Sequence, residues 1–430
     1  MSERPSVCYA APGHALLGTS GTTRNMLSLA KALSRWADVT VAFRSIREPI
    51  RSDEFAVIAI EPDAKSARES KDDVAARGLN VFAHISYLRR LSDFSRQSAR
   101  SYDLVFEKGW RLSGFLSAAF HRQGVPGVLV ENDVRYWSES IGTAGAVAKY
   151  SAHRAAQCLA GFYSRRIPAV IAETEELKAM LVSERGVTPE FIEVIGLGVD
   201  HDLFRPLSQA SCRNVLGIQP TGFVLLYVGG MDTYHDLTPV IDALARISVP
   251  FLELHLIGDG EYRSQYEARA RRAHVPIRFH GQVPHYRVPE FIAAADLCLA
   301  PYRVSAFHNN VVSFSTLKIP EYMACGRPVV SVPSGHIKRL IENEVSGYLF
   351  PNEAASWVSF LKTLPSREEL KQMGRAAALA VGAMTWEKTA SRYFEVCEKL
   401  TGQRSISMKT RMGLESRYGT TRVFPEKADR

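Results

Sequence analysis

The sequence predicts an α/β protein of two Rossmann-like domains built on parallel sheets, and two observations carry that prediction. The chain is 430 residues long, more than one hydrophobic core ordinarily organises and suited to two α/β domains of about 200 residues each. The order strand, glycine-rich turn, helix, strand occurs at its start, over 6–43, and again over 223–260. Each time it is the opening of a Rossmann-like unit. A hydrophobic fraction of 46% against 23% charged residues allows both cores to be filled.

In the first half, 6–11 is apolar on both faces and reads as a buried strand; 12–24, rich in Gly, Ser and Thr, reads as a loop. Met26, Leu27, Leu29, Ala30 and Leu33 then mark one face of a helix, and 39–43 a second strand. The glycines of that loop lack the three-glycine dinucleotide spacing, which argues against a nicotinamide cofactor. A third strand is expected at 57–60, a charged surface segment at 65–77, and a basic amphipathic helix at 87–96 that packs Tyr87, Leu88, Leu91 and Phe94 on the sheet. Strands at 102–108 and 127–133 end in polar residues, Glu107 and Lys108 in one, Glu131, Asn132 and Asp133 in the other. In open α/β sheets the carboxyl ends of strands face ligands. A helix at 146–166, a strand at 167–172 and a helix opening on Glu175 and Glu176 complete this half, and a hinge is placed near 198–210.

The second half opens on 223–230, a strand entering a turn at Gly229 and Gly230, followed by a loop carrying Asp232 and His235 and a helix through Val240 and Ile241. A strand running into a glycine turn over 252–260 follows, and then a helix end and strand over 291–301. The stretch 313–335, SFSTLKIPEYMACGRPVVSVPSG, is the one with the most chemistry in it. Ser313, Ser315 and Thr316 lead through Leu317 and Lys318 into a short helix, with Pro320 and Glu321 in its first turn and Gly326 as a left-handed cap. Small residues feeding a helix start present free amides to an anion, and Lys318 adds charge. Amides and a lysine for phosphates, with the Glu321 carboxylate for ribose hydroxyls, would grip a nucleoside diphosphate. Taken on spacing alone, an ordinary helix-to-strand connection fits the stretch as well.

The net charge of +8 is unevenly spread. Seven Lys/Arg against three Asp/Glu lie in 404–430, so half of the excess sits in that tail, which argues against a nucleic-acid surface. The tail reads either as a solvated end or as a segment loosely drawn to an anionic membrane. No N-terminal apolar segment and no run of about 18 apolar residues occurs. The expectation is a cytoplasmic protein, peripheral at the inner face of the membrane if the tail acts there. Six scattered cysteines read as free thiols. No metal is expected, since Asp259 and Asp296 stand alone.

The run 315–330, STLKIPEYMACGRPVV, resembles the donor-site segment of family-4 retaining glycosyltransferases, which have the GT-B fold: two Rossmann-like domains facing a cleft. The resemblance extends over 6–400. Gly198, Val199 and Asp200 with Phe204 and Pro206 are similar to the family's interdomain signature. Gly21 and Arg24 resemble its N-terminal cleft loop, and Asn132 stands where a His often faces the donor sugar. The family's diphosphate-binding Arg and Lys are replaced by Gly230 and His235. A branch with an aromatic-His pair and a Ser-x-Leu-Lys segment carries the same two departures, which implies phosphate contacts from His235 and Lys318. The usual pair of glutamates seven residues apart is reduced to Glu321, with Ser313 in the first place.

The resemblance implies domains at 1–200 for the acceptor and 207–385 for the nucleotide-sugar donor, a helix at 386–402 crossing back to the first domain, and a basic tail at 403–430. It implies a donor site of Gly229, Gly230, Val283, Ser313, Ser315, Thr316, Leu317 and Glu321, with Lys318, His235 and Asn132 at the reacting centre. The expected reaction is transfer of a sugar, with retention, to a glycan or lipid-linked acceptor hydroxyl in polysaccharide or glycolipid synthesis. No cofactor beyond the nucleotide-sugar co-substrate is expected. The missing glutamate and Arg/Lys pair leave a second reading open: a non-catalytic GT-B subunit that binds nucleotide or a partner glycosyltransferase.

Overall fold

The structure, a computed structural model, describes residues 4–17, 21–48, 50, 52–61, 81–133, 144–247 and 251–402. The expectations for 65–77 and for the tail at 403–430 lie outside the described residues. The chain divides into two compact units, one of 1–196 with 386–430 and one of 197–385.

The first unit holds a seven-stranded sheet in the order β3-β2-β1-β4-β5-β6-β7, every neighbouring pair parallel. The strands are β1 (Ser6–Leu16), β2 (Asp38–Ile46), β3 (Ala56–Ala59), β4 (Leu104–Lys108), β5 (Gly127–Glu131), β6 (Ala169–Ala172) and β7 (Ile192–Val194). Its helices are α1 (Gly21–Leu33), α2 (Val81–Ser98), α3 (Phe115–His121), α4 (Ala144–Ser164) and α5 (Glu175–Arg185). Strand β1 corrects the sequence reading. It continues past Ala11 to Leu16, because Pro12 and Gly13 are taken up as an irregularity: the register to β2 shifts between Ala11 and Ala15. The Tyr87 hydroxyl donates to the Pro12 carbonyl and ties this bulge to α2. Gly21 and Arg24, expected in a cleft loop, form the first turn of α1 instead. A Cβ on Gly21 would meet nothing within 4 Å, so no close approach demands glycine there.

Helix α2 turns Tyr87, Leu91 and Phe94 into the core with Phe115, Leu116 and Phe120 of α3. The segment Trp386–Thr401 packs on this unit: Phe394 stacks on Trp36 at 6.2 Å and Tyr393 meets Phe106 at 5.1 Å.

The second unit is a six-stranded sheet in the order β10-β9-β8-β11-β12-β13, again parallel throughout. Its strands are β8 (Phe223–Val228), β9 (Leu252–Ile257), β10 (Ile277–Gly281), β11 (Leu297–Ala300), β12 (Val329–Ser331) and β13 (Gly347–Leu349). Its helices are α6 (Gln209–Leu216), α7 (Thr238–Arg246), α8 (Arg263–Ala273), α9 (Val288–Ala294), α10 (Lys318–Ala324), α11 (Ile337–Leu340), α12 (Ala354–Lys362) and α13 (Arg367–Val381); the crossing segment at the end is α14 (Trp386–Thr401). Val199, Asp200 and Phe204 belong here. Val199 pairs with Thr385, and Asp200 accepts from the amides of Asp202 and Leu203, so the signature residues sit inside this unit.

A sheet built outward in both directions from β8 has its strand order reversed between β8 and β11. The crevice beyond the carboxyl ends of those two strands is where open α/β sheets bind ligands. Nearly every residue of interest in the second half comes from there.

Candidate functional site

Strand β8 ends in Tyr227, Val228 and the Gly229–Gly230 turn; β11 ends in Ala300 and passes through Pro301 to Tyr302. The loop after β8 folds back on the loop after β11, with His235 bridging Tyr302 and Arg303 donating its amide to the Tyr234 carbonyl at 2.9 Å. Helix α10 brings Lys318 to the same place. Its amine lies 4.3 Å from the Tyr227 ring centre and 5.9 Å from that of Tyr302, and donates to the Tyr227 hydroxyl at 3.1 Å. That hydroxyl donates in turn to the Gly230 carbonyl.

Glycine is required where this amine meets the turn. Gly229 has φ 149°, and a Cβ there would stand 2.5 Å from Lys318 Nζ. The turn after β9 closes from the other side: a Cβ on Gly258 would lie 2.0 Å from the Gly229 carbonyl oxygen. Residues 89 positions apart thus place a cation against the bare backbone at the end of a parallel strand.

Burial holds the Lys318 amine down to about 7, the charges of Asp232 and Glu321 offsetting only part of that effect. Burial, and then the charge of Lys318, hold His235 at about 4 against the opposing pull of Asp232. His235 Nδ1 is 2.8 Å from Asp232 Oδ1. Burial works against ionisation of Asp232, yet the hydrogen bond and charge from His235 and the charge of Lys318 keep it below the usual carboxylate range. The ring of His235 sits between those of Tyr227 and Tyr302, at 5.9 and 5.0 Å.

Around this centre, Thr316 is buried and accepts from the Tyr302 hydroxyl at 2.7 Å. Ser313 is buried, while Ser315, Leu317 and Glu321 are partly exposed. Leu317 caps α10 with helical backbone and no side-chain cap, and Gly326 ends the helix at φ 71°. Tyr322, one turn further along, accepts from the Val228 amide at 2.7 Å and locks α10 to the end of β8. Val283 lies just past β10, packed against the main core of this unit. The structure therefore brings Gly229, Gly230, His235, Thr316 and Lys318 together. Arg303 is taken by Asp236 at 3.1 Å, and Asp296 is buried with Arg213 at 2.7 Å, so both are structural.

Asn132 belongs to the first unit, partly exposed at the end of β5. Its neighbours there are committed internally. Glu131 pairs with Arg185 at 2.5 Å and Lys108 with Glu173 at 2.8 Å, all four buried. Glu107 accepts from the amides of Gly114 and Ser117 and from the Trp110 indole, and burial lifts its carboxyl to about 7. The sequence reading missed Tyr227 and Tyr302, which frame the lysine, and Tyr322, which ties α10 to β8, and gave Asp232 no part in holding His235. The signal for them was tyrosine at the end of β8 and just past β11, where a buried hydroxyl needs a partner. Among the described residues, no group of three or more His, Cys, Asp and Glu is gathered to hold a metal ion. No helix among them is long and apolar enough to cross a membrane.

Two units, each built on a parallel Rossmann-like sheet, one of seven strands and one of six, are the architecture of the GT-B class. Solved structures agree on the fold. HepE of Anabaena in complex with UDP-glucose superposes with a TM-score of 0.69 over 92% of this chain and 100% of its own, at 18% identity. The sucrose-phosphate synthase of Thermosynechococcus elongatus gives 0.72 over 93% and 99%, also at 18% identity. Residues 20–198 match the family described as "Glycosyl transferase 4-like domain" and 222–366 the one described as "Glycosyl transferases group 1". The chain belongs to the group 1, family-4 glycosyltransferases. Among curated relatives, the D-inositol 3-phosphate glycosyltransferase of Segniliparus rotundus is 28% identical over 231 residues, 51% of this chain and 50% of that protein. The chain spans about half the length of the curated relatives it matches first.

Proposed function

We propose that the protein transfers a sugar, with retention, from a nucleotide-diphosphate sugar to an acceptor hydroxyl of a glycan or lipid-linked intermediate. The second unit takes the donor and the first unit the acceptor, with Asn132 at the reacting centre, where its amide hydrogen-bonds a hydroxyl of the donor sugar. The observation that carries this reading is the Lys318 amine held against the Gly229 turn at the reversal point of the sheet. Cleavage of the anomeric bond puts negative charge on the departing diphosphate. The amides before α10 and the Lys318 ammonium stabilise that charge as it grows. Glu321 holds the ribose hydroxyls, backbone groups around Val283 meet the base, and Asn309, Asn310 or Ser313 supplies a hydrogen bond to the sugar where the family pattern has its first glutamate.

The first test is a thermal-shift screen of the full chain with UDP-, GDP-, dTDP- and ADP-sugars. One nucleotide is expected to raise the midpoint, since a ligand at about 100 times its Kd adds about 2.7 kcal/mol of stability. No stabilisation by any of the four would sink the donor-site reading. Stabilisation without transfer or hydrolysis would favour the non-catalytic subunit.

Binding should also be coupled to proton uptake. A diphosphate favours the charged amine, so it raises the Lys318 pKa above its free value of about 7. Affinity is therefore expected to fall as pH rises through 7, with uptake approaching one proton near pH 8. Calorimetry in buffers of different ionisation enthalpy reads this directly; uptake of none at pH 8 would place Lys318 off the phosphates.

A further inference from the structure

His235 enters the sequence reading as a phosphate contact, and its surroundings point to a different partner. Nδ1 faces Asp232 Oδ1 at 2.8 Å. An ionised carboxylate only accepts, so Nδ1 carries the proton. The ring is buried, and Nε2 is a buried polar atom with no hydrogen-bond partner. The charged and titratable groups facing the ring are Asp232 on its own loop, Tyr227 from β8, Tyr302 from the loop after β11 and Lys318 from α10. A second positive charge beside Lys318 is opposed both by that lysine and by burial. The neutral ring with its proton on Nδ1 leaves Nε2 as a lone pair. A phosphoryl oxygen is also an acceptor and gains nothing from such a lone pair. A hydroxyl does.

We propose that His235, locked by Asp232, accepts a hydrogen bond through Nε2 from a hydroxyl of the transferred sugar, and so positions the donor sugar while Lys318 takes the diphosphate. This rests on the donor-site reading above. It makes His235 a contributor to sugar selectivity: a hydroxyl within reach of Nε2 is recognised, and a donor lacking it leaves a buried nitrogen unpaired.

Two measurements on the full-length protein separate this inference from the reading beneath it. In the ligand-free protein labelled with 15N-histidine, the signal that disappears in His235→Gln identifies the ring. Its Nε2 is expected to stay unprotonated from pH 5 to 8; a protonated Nε2 at pH 7 would overturn the proposal whatever the protein binds. The second measurement is calorimetry with the pairs UDP and UDP-glucose, GDP and GDP-mannose, dTDP and dTDP-glucose, and ADP and ADP-glucose. His235→Ala should weaken the sugar-bearing member of the bound pair about 5- to 10-fold and leave the bare nucleotide unchanged. His235→Gln, which keeps an acceptor, should recover part of the loss. His235→Lys restores the commoner residue of the family and should bind the nucleotide sugar no better than His235→Ala. Wild-type affinity in His235→Lys, or equal losses for nucleotide and nucleotide sugar in His235→Ala, would return His235 to the phosphates. Failure of all four pairs with the Nδ1–H ring intact would sink the donor-site reading and the sugar contact with it, leaving only the acceptor state of the ring.

Discussion

Lys318→Ala is expected to abolish most turnover while leaving the protein folded. The amine lies against the Gly229 turn, and removing a charge-assisted hydrogen bond to phosphate from the transition state costs about 2 to 4 kcal/mol, roughly 30- to 1,000-fold in rate. The fold does not lean on it. Its hydrogen bond goes to the Tyr227 hydroxyl, which keeps its own acceptor on Gly230. Burial depresses this amine from 10.5 to about 7, so between those values the unfolded chain binds a proton that the folded protein does not. Wild-type stability therefore gains a rising component with pH across that window, and the variant lacks it. Denaturation midpoints at pH 6 and pH 9, set beside transfer rates, check both halves. Wild-type transfer in a folded Lys318→Ala would overturn the assignment of the reacting centre.

Arg185→Met is expected to destabilise the first unit by about 3 to 5 kcal/mol, because it strands the Glu131 carboxylate in the interior. Arg185 is the last residue of α5, and its guanidinium reaches both Glu131 at the end of β5 and Gln157 of α4. The pair thus sets the end of the strand that carries Asn132. A Cβ on Gly109 would stand 2.1 Å from Glu131 Oε1, which shows how little room there is for that carboxylate to move. Glu131→Gln combined with Arg185→Met removes the stranded charge and should recover a good part of the loss in denaturant titration. A single variant within about 1 kcal/mol of wild type would mean that water reaches Glu131 and that the pair is not a closed one.

These two side chains also mark where reading the chain from its residues succeeded and where it ran out. The parallel α/β halves, the last helix from Trp386 and the left-handed end at Gly326 were all legible, because they rest on local periodicity, caps and turn chemistry. The helical start at Gly21 and the passage of β1 through Pro12 were not. A proline and a glycine ordinarily end a strand; here a register shift and the Tyr87 hydroxyl from α2 absorb them.

Which polar residues at the ends of the strands are available for chemistry depends on partners far along the chain. Glu131, Glu107 and Lys108 resemble site residues in the sequence and are used inside the fold by Arg185, by the amides before and within α3, and by Glu173. His235 and Lys318 are 83 positions apart, with nothing in their spacing to join them. The reversal of strand order between β8 and β11 brings both onto Tyr227 and Tyr302. Hydrophobic patterning acts over a few residues and is written in the chain. Charge state and hydrogen-bond polarity depend on burial and on which neighbours arrive, and those come only with the packed sheet.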